Sequence, residues 1–331
     1  MTDHRSSDLQ VPAHSVAVRV PASSGNLGSG FDCCGLALKL YLDVKAEVAP
    51  RAKQRCRIRM RGEGSGKLKT LSACENLIYR AMRFTAEQEG LNLPPMRLAV
   101  HNQIPLASGL GSSGAAIIAG IGLCCEICRH KVPIKTILRY ATEIEGHADN
   151  VAAALLGGFV INCIKDDGTV LAAKKFWASG IKVIVVTPDF VVETKHARTI
   201  LPATINRRDA VYNMQRVALL STALENHDYD LLWEAMQDRL HQAQRAKLVP
   251  GLTEALATPP SPGLLGIALS GSGPSVLALA SNHFDEIGQQ ITDCFHKHDL
   301  KTTVRMLEVD DLGLQTFSGM RQVQQSAVSA R

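Results

Sequence analysis

Between residues 105 and 115 the chain reads Pro105, Leu106, Ala107, Ser108, Gly109, Leu110, Gly111, Ser112, Ser113, Gly114 and Ala115. Every position from Ser108 to Gly114 except Leu110 is glycine or serine, and an apolar stretch follows at once. Side chains this small let an anion approach the main chain, whose N–H groups can form a nest, and a helix start adds partial positive charge. Such a segment suits phosphate binding. It lacks the lysine of G-x-x-x-x-G-K-S/T and the spacing of G-x-G-x-x-G, so it matches neither of those phosphate loops. Two other segments are rich in small residues, Val18-Arg-Val-Pro-Ala-Ser-Ser-Gly-Asn-Leu-Gly-Ser-Gly-Phe-Asp-Cys-Cys-Gly-Leu-Ala-Leu38 and Gly266-Ile-Ala-Leu-Ser-Gly-Ser-Gly-Pro-Ser-Val-Leu277.

Alternation of apolar positions predicts strands at Ser15–Val20 and Leu36–Val48, on either side of the first small-residue segment. Helical spacing predicts Asn76–Glu89, then a strand near Met96–Asn102 and a helix from the end of the glycine-rich loop to about Arg129. Pro133 opens a third helix reaching about Gly146. Strands are expected at Gly158–Ile164 and Ile181–Val186, and helices over Arg207–Glu225 and Asp228–Arg245. The last part returns to strands at Leu264–Leu269 and Ser275–Ala280, a helix near Phe284–Lys297 and a strand near Thr302–Val309. The arginine-rich run Arg55–Arg61 puts Cys56, Ile58 and Met60 on one face of a strand and four arginines on the other, a solvated face.

A chain of 331 residues with 46% hydrophobic and 20% charged residues has the composition of a globular protein. Its net charge of +5 is dispersed, which argues against nucleic acid or an anionic membrane as partner. The apolar run Ala115–Cys125 is too short to cross a bilayer, and the polar first residues do not resemble a secretory signal, so a cytoplasmic protein is expected. Nine scattered cysteines fit reduced thiols, and Cys125-x-x-Cys128, lacking a second pair, fits a helix core better than a metal site.

In order and spacing, the three small-residue segments resemble the three motifs of the GHMP kinases, the family of galactokinase, homoserine kinase and mevalonate kinase. The first segment looks like the homoserine kinase branch, and the likeness continues through Glu145-Gly-His-Ala-Asp-Asn-Val151, Glu193-Thr-Lys-His-Ala-Arg198 and Arg245-Ala-Lys-Leu-Val-Pro-Gly251. Gly25 stands where alanine is common and Ser29 where proline is common, both taken as mild departures in a loop. The resemblance implies a two-domain α+β fold: an N-terminal domain like the second domain of ribosomal protein S5 over 15–170 and a ferredoxin-like C-terminal domain over 171–313. Polar tails are expected at 1–14 and 314–331.

It also implies an ATP-dependent kinase that phosphorylates the hydroxyl of L-homoserine, with Mg²⁺ held by Ser112 and Glu145 and the ATP phosphates by the loop from Pro105 to Ala115. Asp32, Arg198 and Arg245 would take the amino acid's ammonium and carboxylate, since arginine grips a carboxylate with paired hydrogen bonds. Asn26 and His147 would border the reacting hydroxyl. Asp149 is either a catalytic base or an N-cap of the helix that follows. Asn76 would lie near the adenine, and a homodimer is the expected assembly. Two rivals differ in class: a kinase for another small alcohol, and a binding protein that has lost catalysis. An unmatched Asp32 opposes the first, and the intact loop opposes the second.

Overall fold

The computed structural model describes residues 15–68, 72–177, 180–318 and 321–323; the tail expected at 1–14 lies outside them. Strand β1 (Ser15–Asn26) runs antiparallel to the long β2 (Gly30–Val48). Their register shifts at Pro21/Ala22, where proline has no N–H to give the ladder. One half of β2 pairs with β4 (Met96–Asn102), while Cys34–Leu36 pair with β5 (Phe159–Ile164), which pairs in turn with β6 (Val170–Lys175). The arginine strand β3 (Cys56–Gly62) lies parallel to β4 at the sheet edge, its arginines exposed and Cys56 buried. Helix α1 (Leu77–Gln88) joins these two strands, and the Asn76 side chain caps it by accepting from the Ile78 N–H.

Three helices complete this part: α2 (Ser112–Cys128), α3 (Ile134–Glu145) and α4 (Asp149–Leu156). Helix α2 is buried from Gly114 to Cys124 except at Ala116, which borders a cleft, and this explains why its sequence is apolar all round. All nine cysteines are free thiols, and Cys125 and Cys128 pack with the core beside α2, as the missing second pair suggested. No helix among the described residues is long and apolar enough to cross a membrane.

The second sheet has the order β10-β7-β9-β8, formed by β7 (Lys182–Pro188), β8 (Leu264–Leu269), β9 (Val276–Ala280) and β10 (Thr302–Leu307). Alternate residues go to different cores. Val183, Val185, Leu277 and Leu279 join the core of the first sheet, whereas Ile184, Val186, Val276 and Ala278 pack with α5 (Phe284–His296) and neighbouring short helices. A sheet covered on both faces needs unbroken apolar strands, which Val183–Val186 and Val276–Ala280 supply.

Two expectations are corrected. The residues Asp228–Arg245 do not form one helix. Short turns at Tyr229–Leu231 and Leu232–Ala235 give way to an irregular stretch, and a new helix covers Gln242–Ala246. Asp238 causes the break: its carboxylate accepts the N–H groups of Leu240, His241 and Gln242 and the side chain of Asn213, so it starts a helix instead of continuing one. The tail expected at 314–331 is also corrected at its start, while residues 324–331 lie outside the described residues. Gln315–Ser318 forms β11, antiparallel to β1, and thus brings the chain end back to the first sheet. Leu314 anchors it, buried over Gly122 of α2, with its N–H on the Leu155 carbonyl.

Leu314→Ala should therefore cost about 2–5 kcal/mol, the usual range for a truncated buried leucine. Urea unfolding should show it as a lower midpoint with an unchanged slope.

Candidate active site

Helix α2 begins without a side-chain cap. Gly111, at φ +67°, stands in the cap position, and the first helical hydrogen bond runs from the Ala115 N–H to the Gly111 carbonyl. The first N–H groups of the helix therefore face outward toward any anion. Ala107 and Gly109 also have positive φ, +51° and +83°. Two other segments hold this loop: Ser270 Oγ donates to the Gly109 carbonyl at 2.7 Å, and the Ser23 N–H donates to that of Leu110 at 3.1 Å. The approach is close enough that a Cβ on Gly109 would lie 2.1 Å from the Ser270 carbonyl oxygen.

A cavity of about 320 Å³ opens in front of the loop. Ser108 to Ser113 line it together with Asn26, Asp32, Glu145, His147, Asp149, Arg198 and Arg245, so residues distant in sequence meet in one cleft. Pro105, Gly114 and Ala115 do not line it. Gly114 and Ala115 turn into the core, and Pro105 faces a separate groove. Asn76 caps α1 and lines the apolar end of the cleft with Met60, Leu77 and Ile78.

Glu145 ends α3, followed by Gly146 at φ +90°. Its carboxylate accepts a hydrogen bond from Ser113, one residue beyond the expected Ser112, which lines the same cleft. Burial pushes the Glu145 carboxyl up, against the opposing effects of Ser113 and His147. His147 Nδ1 lies 2.5 Å from Asp149 Oδ1, and Nε2 lies 3.9 Å from Glu145. Burial alone would push His147 down, but the bond to Asp149 and the two carboxylates outweigh it and hold its pKa above the usual value. The same pairing keeps the buried Asp149 ionised, its pKa below the usual range in spite of burial. Asp149 does not cap α4: Ala148 occupies the cap position, and the carboxylate instead accepts from His147 and from the adjacent Asn150 N–H.

At the far end of the cleft Arg198 grips Asp32 in a bidentate pair, with N–O distances of 3.0 and 2.6 Å. This bond raises the Arg198 pKa. Arg245 is 2% exposed and bonds to the carbonyls of Ala197 and Gly271 and to His241 Nδ1, none of them a carboxylate. Burial, then the charge of Arg198, pushes it down to about 10. Phe31 offers its ring to both guanidiniums, 5.2 Å from Arg245 and 6.0 Å from Arg198. Both ends of the Asn26 amide are engaged, with the Asp32 N–H and the Gly271 carbonyl, so its part is to tie the first segment to the third. Asp32, His147 and Asp149 each bring one possible ligand atom within 4.8 Å of the others. Because each already has a partner of opposite charge, this group is a charge network.

Residues not singled out from the sequence include Thr194 and Ser272, whose hydroxyls meet at 3.2 Å beside the cleft, and His241. Thr194 and Ser272 lie inside the quoted motifs, which was the available signal; His241 had none.

Residues 76–158 match the family model for the GHMP kinases N terminal domain and residues 220–297 that for the GHMP kinases C terminal. The chain is 42% identical over 299 residues to a homoserine kinase of Desulfitobacterium hafniense, covering 90% of this chain and 98% of that one. It is 38% identical to a homoserine kinase of Schizosaccharomyces pombe, over 86% and 93% of the two chains. A crystal structure of homoserine kinase from Cytophaga hutchinsonii superposes with a TM-score of 0.81 at 28% identity, covering 96% of this chain and all of that one. Mevalonate kinase of L. major shares the fold, with a TM-score of 0.65 at 15% identity, covering 90% of this chain and 95% of that one.

The cleft also sets a pH dependence. His241 is wholly buried, with Nε2 on the Gly28 carbonyl at 3.0 Å and Nδ1 facing Arg245 at 3.3 Å, an arrangement that a neutral ring satisfies. Burial, aided by the charge of Arg245, lowers its pKa, although Asp238 and Asp32 pull the other way. The unfolded chain therefore binds this proton more readily, so the stability it confers is present above about pH 6.5 and lost as pH falls below it. Melting temperature followed from about pH 8 to about pH 5 should drop more steeply in the native chain than in His241→Asn.

Proposed function

This chain belongs to the homoserine kinases of the GHMP kinase family, and on that premise we propose how its own residues divide the work. The activity is ATP-dependent phosphorylation of the side-chain hydroxyl of L-homoserine, which serves threonine biosynthesis. The hydroxyl oxygen forms a bond to the γ-phosphorus as the bond to the departing ADP oxygen breaks, and the hydroxyl proton passes to an oxygen of the transferred phosphoryl group and on to solvent as the new bond forms. A loose transition state asks mainly for alignment and for charge to offset the moving phosphoryl group.

The uncapped start of α2 receives the phosphates, and the apolar end of the cleft around Met60, Leu77 and Ile78 receives the adenine. Homoserine lies toward Asp32, Arg198 and Arg245. The observation that carries this reading is the bidentate Asp32–Arg198 pair beside an Arg245 that has no carboxylate of its own. A zwitterion can enter such a site without adding net charge, its ammonium going to Asp32 and its carboxylate to the two arginines. A substrate that drew Arg198 to its own carboxylate without bringing an ammonium would leave Asp32 without its full cationic partner. His147 and Asp149 then border the hydroxyl, with Asp149 already engaged by His147.

The donors beside the loop fit Mg²⁺. Glu145 is a largely buried carboxylate whose ionisation is opposed by desolvation, and it faces the glycine-rich loop together with the Ser112 and Ser113 hydroxyls. All are hard oxygen donors. Glu145 with one of the two serines would hold the ion, which supplies positive charge to the polyphosphate. A kinase whose substrates are ATP and homoserine works where both are made, which supports a cytoplasmic location.

ADP release with Mg-ATP should be specific for homoserine over mevalonate, galactose, serine and threonine. Arg198→Ala removes charge-assisted hydrogen bonds of about 1.5–3 kcal/mol each, so kcat/KM for homoserine should fall by roughly 100-fold or more, mostly through KM. Turnover of another alcohol in preference to homoserine would refute the substrate site. Glu145→Gln should raise the Mg²⁺ concentration needed for half-maximal rate, while the homoserine KM stays near the native value.

A further inference from the structure

Gly25 and Gly35 are a cross-strand pair on β1 and β2, directly opposite one another in the ladder. Neither has a positive φ, so the backbone conformation does not demand glycine at either place. What demands it is α4. A Cβ on Gly25 would lie 2.3 Å from Asp149 Oδ2 and 2.9 Å from Asn150 Nδ2. A Cβ on Gly35 would lie 2.2 Å from the Asp149 carbonyl oxygen and 3.0 Å from Ala153 Cβ. Opposed residues of an antiparallel pair point to the same face. The two glycines therefore leave a bare patch of sheet on which the first turn of α4 rests.

We propose that Gly25 and Gly35 are positioning residues for the phosphoryl transfer: this side-chain-free seat sets the depth of α4, and so holds the Asp149 carboxylate against His147 Nδ1. The alanine common at position 25 in similar proteins is thus not a mild change in this chain. The two positions act on different atoms. Gly25 lies under the carboxylate, so a methyl group there displaces the side chain and leaves the helix seated. Gly35 lies under the main chain, so a methyl group there lifts the helix. The catalytic consequence rests on the reading that His147 and Asp149 border the reacting hydroxyl; the seat itself does not.

The test uses the full chain and the variants Gly25→Ala, Asp149→Ala and their combination. In the native protein the Nδ1 proton of His147, hydrogen-bonded to Asp149, should give a downfield proton resonance, and Gly25→Ala should shift or abolish it. The same variant should lower kcat by about 10- to 100-fold, the scale of a misplacement near 1 Å, with the ATP KM within about twofold of native. In the Asp149→Ala background the added methyl group meets no carboxylate and only the Asn150 amide end remains close, so Gly25→Ala should then cause no further loss of kcat and a smaller loss of melting temperature than in the native chain. Additive losses would overturn the proposal, as would an unmoved resonance. A moved resonance with unchanged kcat would overturn the positioning role and the placement of His147 at the hydroxyl, while leaving the kinase activity in place. Should Gly25→Ala alone fail to fold, the double variant decides: recovery to the level of Asp149→Ala supports the seat, and failure of both rejects it.

Discussion

The glycine-rich loop can turn its N–H groups outward only because other parts of the chain hold its carbonyls from behind. Ser270 binds the Gly109 carbonyl, Ser23 binds that of Leu110, and the Ser275 N–H binds that of Ser108. A loop of glycine and serine left alone would lose much conformational entropy on ordering around an anion. Here that loss is met in folding, by contacts from β1 and from the turn between β8 and β9. The three segments quoted from the sequence thus form one structural unit.

This arrangement explains why the two sheets share a core. The turn after β8 reaches the loop only if the second sheet lies against the first, and Val183, Val185, Leu277 and Leu279 supply the apolar face that keeps it there. The contact also brings Arg198 and Arg245 to Asp32. Burying Arg245 without a carboxylate of its own is electrostatically unfavourable, and its lowered pKa records that. The carbonyls of Ala197 and Gly271, the neutral ring of His241 and the face of Phe31 are what the fold offers in return. In the proposed function a substrate carboxylate would complete the set.

Charge in the cleft follows one order from the loop outward. A region of backbone N–H groups comes first, then the acids Glu145 and Asp149 with His147 between them, then the Asp32–Arg198 pair and Arg245. Phosphates, the reacting hydroxyl and an amino-acid head group can each find a region of suitable sign. Neutral pairing within the protein, His147 with Asp149 and Arg198 with Asp32, keeps the charged groups compensated before any ligand arrives.

From the sequence alone, the glycine-rich loop before a helix and most helices and strands were legible through local patterns, small residues before a helix and period 3.6 or 2, while the residues that line the cleft were named through the family resemblance. Other features depended on neighbours far along the chain. Asp238 breaks a helix that its own segment would favour, because it binds three following N–H groups and Asn213. The short polar Gln315–Ser318 becomes a strand because β1 has an open edge beside it. Ser113 bonds to Glu145, and no local pattern could show this, because the rotation of α2 about its axis is set by its packing. Gly25 showed only a small residue in a loop-like stretch, and its meaning appeared with Asp149 resting over it. Composition and spacing determined which chemical groups the chain carries and in what local frame; the approach of those groups to one another, at distances of 2 to 4 Å, was decided by the tertiary packing that no local pattern encodes.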